Sequence, residues 1–398
     1  MTGAVYQPDA PAPPDPVPHV GRRVICYYTP SVNPSGMGAQ LLDLAAAHAP
    51  DADVSVMCRP TEGGRRLLDR AAASGALPVP LPGNRDPAFG RVIADHLTAR
   101  PPAVFHSHVG WGWEDWDGVH LAHRLGVPAV IQSHHLPFLL SHPRKAERLH
   151  RAIEPVDHLI AVSAGVRRTY ERIGVPAHRF TTVPNGVAPR GPGPGRAAAR
   201  RALGLSVDQL VVMTAGRLVR MKGQRYLVDA VPDLVGGFPD LAVVILGEGP
   251  LRRELADRAA DLGVESVVRL AGHRDDARLL LDAADVFVLP SRHEGMPLAA
   301  LEAMEAGLPV VGTRVIGTDE VVVDGETGLL VPAEDPHALA AAVADLLAHP
   351  DLRAAYAGVG RRRYLEHHTV ELMAARTRAV YDAVLATHLP ASRETVSA

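Results

Sequence analysis

The sequence predicts an α/β fold made of two doubly wound, parallel-sheet domains. The chain has 398 residues, which is more than a single hydrophobic core usually accommodates. From residue 22 onward, short runs of β-branched residues alternate with stretches rich in alanine and leucine, as in parallel sheets covered by helices. The alternation is interrupted once, at residues 189–204, where proline and glycine alternate. We therefore expect a domain linker there.

Each domain is predicted to contain a sheet of short strands. In the first domain the strands are residues 23–27, 53–58, 104–106, 129–132, 158–162 and 180–183. In the second domain they are residues 210–215, 241–246, 267–271, 286–289, 310–313 and 328–331. The predicted organisation is a tail at 1–20, a first domain at 21–190, a second domain at 191–369 and a final helix at 370–390. Ligands of such sheets bind at the carboxyl ends of the strands, so the chemistry is expected in the turns that follow them.

Composition excludes several classes of protein. Lys plus Arg number 41 and Asp plus Glu number 44, so no net charge draws the chain to nucleic acid or to an acidic membrane. Cys26 and Cys58 are the only cysteines, too few for a disulfide framework, and they favour a cytoplasmic location. Residues 1–20 are rich in proline, lack the pattern of a signal peptide and predict a disordered tail. No stretch approaches the roughly 18 apolar residues that a membrane helix needs, so no membrane insertion is expected.

The first candidate site is the turn between a buried strand and a helix expected to begin near Pro297. The amides of Gly295 and Met296 would lie at the N-terminus of that helix. Unpaired N–H groups and the helix dipole there attract a phosphate or a sugar oxygen. Glu294 precedes the helix, and Glu302 lies eight positions further on, where a carboxylate accepts hydrogen bonds from the vicinal hydroxyls of a ribose. The alternative interpretation is a helix-capping acid and a solvated helix residue.

The second candidate site is the turn in which a strand runs into Gly216 and Arg217 and a helix begins after Lys222 and Gly223. Arg217 offers a planar fork of donors and Lys222 a point charge. Together they would hold a diphosphate and stabilise it as it leaves. The spacing differs from that of a Walker loop, so an ATPase is not predicted. The alternative is a pair of ordinary surface cations.

Gly36 and Gly38 stand between the first predicted strand and the first predicted helix. Residues without side chains let a backbone approach a ligand closely, although a structural turn is the alternative explanation.

Four histidines follow apolar strands of the first domain, at positions from which their side chains are expected to reach the ligand: His106, His108, His134 and His135. A zinc site is conceivable for such a group. No carboxylate or thiol stands nearby at ligand spacing, and no metal site is predicted.

Taken in order, these motifs resemble those of a known family. The segment from Glu294 to Glu302 has the form Glu-x7-Glu, and Gly216-Arg217 followed by Lys222-Gly223 stands before it. Shorter matches are Val183-Pro-Asn-Gly186, Gly247-Glu248-Gly249, Gly272-His-Arg-Asp-Asp276 and Asp324-Gly-Glu-Thr-Gly-Leu-Leu330. From residue 23 to about 385 the chain resembles the retaining glycosyltransferases of family 4. Their GT-B fold consists of two Rossmann-like, doubly wound domains facing each other across a cleft.

The resemblance implies a metal-independent, retaining hexosyltransferase that moves a sugar from a UDP- or GDP-sugar to a small-molecule acceptor and needs no cofactor. Arg217 and Lys222 would hold the diphosphate, Glu302 the ribose and Glu294 the sugar. The other implied contacts are a histidine facing the sugar and a set of donor-binding residues: His134, Gly36, Gly38, Gly216, Gly295, Met296, Pro297 and Leu298. The family's early glycine loop usually has two adjacent glycines, and Gly36-Met37-Gly38 departs from that pattern.

The resemblance also assigns the domains. The first domain would bind the acceptor and the second the nucleotide sugar. The final helix, predicted from residue 370 to 387, would cross back onto the first domain. The oligomeric state is left open.

A tryptophan-rich segment follows the strand 104–106, on the side that receives acceptors in the family. Its aromatic and acidic residues are Trp111, Trp113, Trp116, Glu114, Asp115 and Asp117. Aromatic faces beside carboxylates attract cations, so we hypothesise a small acceptor with an amine or quaternary ammonium group. His108 and His135 would border the same site. The alternatives are a loop whose tryptophans pack on the domain, and an indole that stacks on an uncharged glycoside.

Other functions remain open from the sequence alone. A nucleotide-sugar epimerase of the same fold would bind the donor with the same residues. A two-lobed sugar-binding protein needs no catalytic cations. A nicotinamide dehydrogenase is disfavoured because no complete Gly-x-Gly-x-x-Gly follows the first strand.

Overall fold

The computed structural model describes residues 21–32, 36–112, 114, 116–139 and 143–388. They form two compact units, one containing the chain up to Val183 and again from Val370, the other consisting of Pro184–Thr369. The predicted tail at 1–20 lies outside the described residues. None of the helices in the described ranges is long and apolar enough to cross a membrane.

The first unit is built on a seven-stranded parallel sheet. Its strands are β1 Arg23–Tyr28, β2 Ala52–Cys58, β3 Leu77–Pro80, β4 Val104–Val109, β5 Ala129–His134, β6 His158–Ala161 and β7 Phe180–Thr182. The order across the sheet is β3-β2-β1-β4-β5-β6-β7. Its helices are α1 Gly36–His48, α2 Glu62–Ala73, α3 Phe89–Ala99, α4 Asp117–Arg124, α5 Pro143–Ala152 and α6 Ala164–Glu171, with a 3₁₀ turn at Ala177–Arg179. β1 and β4 are neighbours, which puts the reversal of strand order at the centre of the sheet.

The second unit contains a six-stranded parallel sheet in the order β10-β9-β8-β11-β12-β13. Its strands are β8 Leu210–Ala215, β9 Leu241–Leu246, β10 Val268–Gly272, β11 Val286–Leu289, β12 Val310–Thr313 and β13 Gly328–Val331. The first four helices are α7 Arg196–Ala202, α8 Gln224–Val235, α9 Arg252–Asp261 and α10 Ala277–Leu280. The others are α11 Leu298–Glu305, α12 Thr318–Val321, α13 Pro336–Ala348 and α14 Pro350–His367, with 3₁₀ turns at Arg220–Lys222 and Leu281–Ala283. Helices cover both faces, so the strands are continuous apolar runs.

The last helix, α15 Val370–His388, packs on the first unit. Arg23 of β1 donates to Asp382 at 2.7 Å, and Tyr381 is completely buried against the sheet. The chain therefore returns to the unit in which it began.

Residues 189–204, predicted to be a linker, fall inside the second unit. Arg190 lies 2.6 Å from Asp282, and the amide of Gly195 donates to the same carboxylate at 3.0 Å. Just beyond, Arg200 is buried and donates to Asp285 at 2.9 Å, which ties α7 to the start of β11. The proline- and glycine-rich segment is therefore anchored to the second unit by these cations and acids, although most of its prolines and glycines are exposed.

The sequence missed one strand, β3, and ended two others, β4 and β5, two or more residues too early. β3 contains Pro78 and Pro80, which cannot donate to a neighbouring strand, and it is tolerated because it lies at the sheet edge. β4 continues to Val109 and β5 to His134, beyond the predicted ends at 106 and 132. Their polar residues do not end the strands because the fold buries them.

Candidate functional site

The carboxyl edge of the second sheet brings two of the predicted motifs together. β8 and β11 are adjacent, so the strand order reverses between them and the turns that follow them lie side by side. Gly216 and Arg217 follow β8, and the segment from Pro290 to Pro297 follows β11. The amide of Arg292 donates to the carbonyl of Met221 at 2.8 Å, which joins the two turns directly.

Two glycines let the turns approach this closely. A Cβ at Gly223 would lie 1.9 Å from the carbonyl oxygen of Pro290, and Gly223 has a φ of +65°. A Cβ at Gly247, whose φ is +136°, would lie 2.0 Å from the carbonyl oxygen of Gly216. Both the close contacts and the positive φ values require glycine. The Gly247-Glu248-Gly249 motif, one of the shorter matches to the family, thus supports the turn that carries Arg217.

Lys222 and Glu294 form the central ion pair of this edge. The Lys222 Nζ donates to both carboxylate oxygens of Glu294, at 2.7 and 2.9 Å. The Glu294 side chain is 5% exposed and that of Lys222 is 27% exposed. Ser291 donates its hydroxyl to the Oε1 of Glu294 at 2.6 Å. The carboxylate is therefore held by a cation that reaches solvent and by a neutral donor that does not.

Arg217 is exposed, and within the described part of the chain its guanidinium has no ion pair or hydrogen bond. Its backbone carbonyl accepts from the buried Gln224 at 3.1 Å, which fixes the turn behind it. The two predicted cations therefore differ. Lys222 is engaged with a carboxylate, whereas Arg217 is available to an anion.

Helix α11 begins at Leu298, with Pro297 as its N-cap residue. The amides of Gly295 and Met296 donate to no protein acceptor within the described ranges, and both residues are buried. The Asn185 side chain donates to the carbonyl of Met296 at 2.9 Å and so braces the loop. Unpaired amides at a helix N-terminus favour an anion or an electron-rich oxygen.

Glu302 lies within α11 with a side chain that is 25% exposed, close to a residue that sequence reasoning missed. Arg278 on α10 lies 3.7 Å from the Glu302 carboxylate and 3.8 Å from that of Glu305. It also donates to the carbonyl of Ala188, just before the proline- and glycine-rich segment 189–204. The sequence signal that could have pointed to Arg278 is its position just after the Gly-His-Arg-Asp-Asp motif. Its partner Glu302 lies 24 positions further along the chain, so the contact could not be inferred from that signal alone.

Of the four predicted histidines, His106 and His108 lie inside β4 and His134 is the last residue of β5, whereas His135 directly follows that strand. Tyr381 donates to the hydroxyl of Tyr27 at 3.1 Å and accepts from the Nδ1 of His106 at 2.6 Å, while Ser133 donates to the other ring nitrogen at 2.8 Å. The Nδ1 of His108 lies 3.1 Å from His135. Burial lowers the pKa of His106 and His108 well below the ordinary value, and that of His135 to about 3. These rings are neutral parts of the core near pH 7.

His134, predicted to face the sugar, is fully buried. It lies on the face of β5 opposite to that of Ser133, because side chains alternate along a strand. Its ring meets Tyr170 edge-on with centroids 4.5 Å apart, and a Cβ at Gly112 would lie 2.6 Å from it. Burial lowers the pKa of His134 to about 3. This placement lends no support to a sugar contact, and that role stays a prediction.

The other predicted residues of the first unit are only partly described. Gly36 and Gly38 lie in the first turn of α1 and do not precede it, because the helix begins at Gly36. Trp116 is exposed and stacks on His120 with ring centroids 4.4 Å apart. Glu114 accepts from the backbone amide of Trp111 at 2.7 Å, so it stabilises its own loop. Asp117 opens α4, whereas Trp113 and Asp115 lie outside the described residues.

Comparison with known proteins agrees with the geometry of the second unit. Residues 195–363 match the family described as glycosyl transferases group 1, and residues 34–190 match glycosyltransferase family 4. The chain is 32% identical over 401 residues to the alpha-maltose-1-phosphate synthase of Mycolicibacterium smegmatis, covering 90% of this chain and 98% of that protein. The chain belongs to the family 4 glycosyltransferases. It is therefore a glycosyltransferase.

Another relative of this glycosyltransferase is the D-inositol 3-phosphate glycosyltransferase of Thermobispora bispora. The two are 33% identical over 350 residues, which cover 82% of this chain and 79% of the relative. Among solved structures, Anabaena HepE in complex with UDP and glucose matches with a TM-score of 0.77 and 20% identity, over 91% of this chain and all of that one. The sucrose-phosphate synthase of Thermosynechococcus elongatus matches with a TM-score of 0.71 and 20% identity, over 92% of this chain and all of that one. These structural matches confirm the predicted GT-B fold with its two Rossmann-like domains.

Proposed function

We propose that this glycosyltransferase moves a sugar from a nucleoside diphosphate sugar, a UDP- or GDP-sugar, to a hydroxyl of a small acceptor, with retention of the anomeric configuration and without a metal ion. The observation that carries the proposal is the cationic edge of the second sheet. There Lys222 holds Glu294, the guanidinium of Arg217 has no partner among the residues that the structure describes, and the amides of Gly295 and Met296 lie at the start of α11.

The cations and amides stabilise the leaving group, which is the nucleoside diphosphate. Breaking the bond between the anomeric carbon and the phosphate oxygen leaves extra negative charge on the diphosphate. A guanidinium, an ammonium and unpaired amides aimed at that charge stabilise it in the role that a divalent ion otherwise plays. The acceptor oxygen forms the new bond to the anomeric carbon, and its proton passes to the departing diphosphate. No protein nucleophile is required.

The carboxylates of Glu302 and Glu294 contact different parts of the donor. Glu302 accepts hydrogen bonds from the ribose hydroxyls, and Arg278, 3.7 Å away, orients its carboxylate. Glu294, next to the cations, contacts the hydroxyls of the transferred sugar. HepE, which shares the fold, has been crystallised with UDP-glucose, and this supports a nucleotide-sugar donor of that kind.

Two acceptor classes follow from different observations. The exposed Trp116 near Glu114 and Asp117 is the basis of the cationic-acceptor hypothesis, although Glu114 is already engaged by its loop. The names of two relatives, alpha-maltose-1-phosphate synthase and D-inositol 3-phosphate glycosyltransferase, instead suggest a phosphorylated polyol or sugar. Paired assays with amine-bearing and phosphate-bearing acceptors, in wild type and in Trp116→Ala, distinguish the two. A raised acceptor KM in the variant only for amines supports the cationic class.

The decisive experiment is turnover of UDP-, GDP-, ADP- and dTDP-sugars with and without EDTA. We expect one nucleotide to be preferred, turnover to survive the chelator, and Lys222→Ala to lower kcat by about 100-fold or more. Arg220→Ala, which removes another exposed cation from the same turn, is the matched control and should retain activity. Loss of turnover in EDTA with recovery in manganese would refute metal independence. Release of an epimerised nucleotide sugar would identify an epimerase.

A further inference from the structure

We propose that Ser291 is a positioning residue for the glycosyl transfer. Its hydroxyl holds the Glu294 carboxylate in place when Lys222 turns from that carboxylate to the donor diphosphate. The inference rests on the proposed function and adds a residue that no motif assigned to the site.

Two described residues, Lys222 and Ser291, donate hydrogen bonds to the side chain of Glu294. Within the described ranges its carboxylate receives two hydrogen bonds from Lys222 and one from Ser291, and no others. The residue is 4% exposed, so water cannot replace a lost donor easily. A buried carboxylate without donors is strongly disfavoured.

In the proposed reaction the ammonium of Lys222 binds two anions, first the Glu294 carboxylate and then the donor diphosphate. It has three hydrogens, and two of them point at the oxygens of Glu294 in the absence of a donor. A diphosphate carries more charge than one carboxylate and therefore competes for this cation. As Lys222 moves toward the phosphates, the bond from Ser291 is the one protein hydrogen bond of the described residues that Glu294 keeps, and it orients the carboxylate toward the sugar hydroxyls.

Ser291 is held firmly enough for this task. It is completely buried, and its carbonyl accepts from the hydroxyl of Thr313 on β12. Thr313 is itself buried in a strand that pairs with β11, the strand that leads into Ser291. A rigid sheet residue thus fixes Ser291, and Ser291 fixes the carboxylate. Neither hydroxyl needs to touch the substrate.

The chain offers a matched pair of variants. Thr313→Val and Thr318→Val both replace a buried threonine by an isosteric residue at the same edge of the second sheet. The hydroxyl of Thr313 bonds to Ser291, whereas that of Thr318 has no partner within the described residues. Any difference between them therefore measures the hydrogen bond and not the loss of a buried hydroxyl.

The test measures kcat and KM for whichever of UDP-, GDP- and ADP-glucose the wild-type enzyme turns over fastest, with the calorimetric Kd for the free nucleoside diphosphate. We expect Ser291→Ala to lower kcat by about 10- to 100-fold, because a hydrogen bond to a charged group is lost. Thr313→Val should lower kcat by about 3- to 10-fold, and Thr318→Val should leave it within about twofold of wild type. The nucleotide Kd should stay close to wild type in all three, and each variant should remain folded at the assay temperature, as judged by its unfolding midpoint.

Glu294→Gln distinguishes a failure of the Ser291 role from a failure of the proposed donor site. If Glu294→Gln is impaired and Ser291→Ala is not, the role of Ser291 is overturned while the donor site stands. If Ser291→Ala loses nucleotide affinity and stability together with kcat, Ser291 is structural and the inference also fails. If Glu294→Gln turns over like wild type, the proposed donor site itself is wrong.

Discussion

The buried histidines of the first unit make its stability depend on pH. Burial lowers the pKa of His48 from 6.5 to about 4, assisted by the nearby Arg378, and lowers those of His134 and His135 to about 3. In the unfolded chain these rings titrate near the ordinary value. Between that value and the lowered one, the unfolded state binds protons that the folded state does not. Stability is therefore complete above about pH 6.5 and falls as the pH drops below it.

The magnitude follows from the shifts. Each such histidine costs about 1.4 kcal/mol of unfolding free energy per pH unit within its window. At pH 5 each of the three contributes a loss of about 2 kcal/mol, and the three together lose about 6 kcal/mol, which is comparable to the stability of a typical domain. His106 and His108, whose pKa values burial also lowers, add to this loss. We expect the first unit to be marginally stable near pH 5.

The assay is urea unfolding from pH 7 to pH 5, followed by tryptophan fluorescence. All three tryptophans lie in the first unit, so the signal reports on that unit. His48→Gln removes one titrating ring, and we expect it to lower the slope of free energy against pH by about 1.4 kcal/mol per unit. The exposed His123→Gln is the control and should not change the slope. Equal unfolding free energies at pH 7 and pH 5 would refute the reasoning.

Three further predictions concern the second unit. Gly247→Ala should destabilise it by at least about 2 kcal/mol and weaken nucleotide binding, because its Cβ would collide with a carbonyl oxygen at a positive φ; unchanged denaturation, or equal damage from Gly237→Ala, would contradict this. Glu302→Gln should weaken UDP or GDP binding about tenfold in calorimetry by replacing an ionised acceptor with an amide, and an unaltered Kd would remove Glu302 from the ribose site. Arg200→Ala should cost about 2–3 kcal/mol in chemical denaturation because it removes the buried one of the two guanidinium groups on Asp285 and leaves only the half-exposed Arg196. Its exposed neighbour Arg201→Ala should cost little, and similar losses in both would disprove the role of the buried pair.

Local pattern was sufficient for much of the fold. The strands β8, β9, β11, β12 and β13 begin and end where the sequence predicted them. Buried parallel strands are uninterrupted apolar runs bounded by turn residues, so nearby residues in the sequence determine where each strand begins and ends. The same pattern predicted β3 poorly, because only its place at the sheet edge makes its prolines acceptable.

The residues of the donor turns could also be chosen from the sequence, since a glycine or a cation just after a strand has a local signature. By itself the sequence determined the fold class, the order of the motifs and the positions of Arg217, Lys222, Glu294 and Glu302 relative to strands and helices. That much depends on residues close together in the chain.

Only the tertiary structure decided which of these groups meet. Lys222 and Glu294 are 72 positions apart, and they form an ion pair because β8 and β11 lie side by side. Strand order likewise brings Thr313 to Ser291 and buries the histidines of β4 and β5, which the sequence had placed at a ligand. Hydrogen bonds and burial depend on distances between segments that are remote in the chain, and such distances are set by packing and not by local pattern.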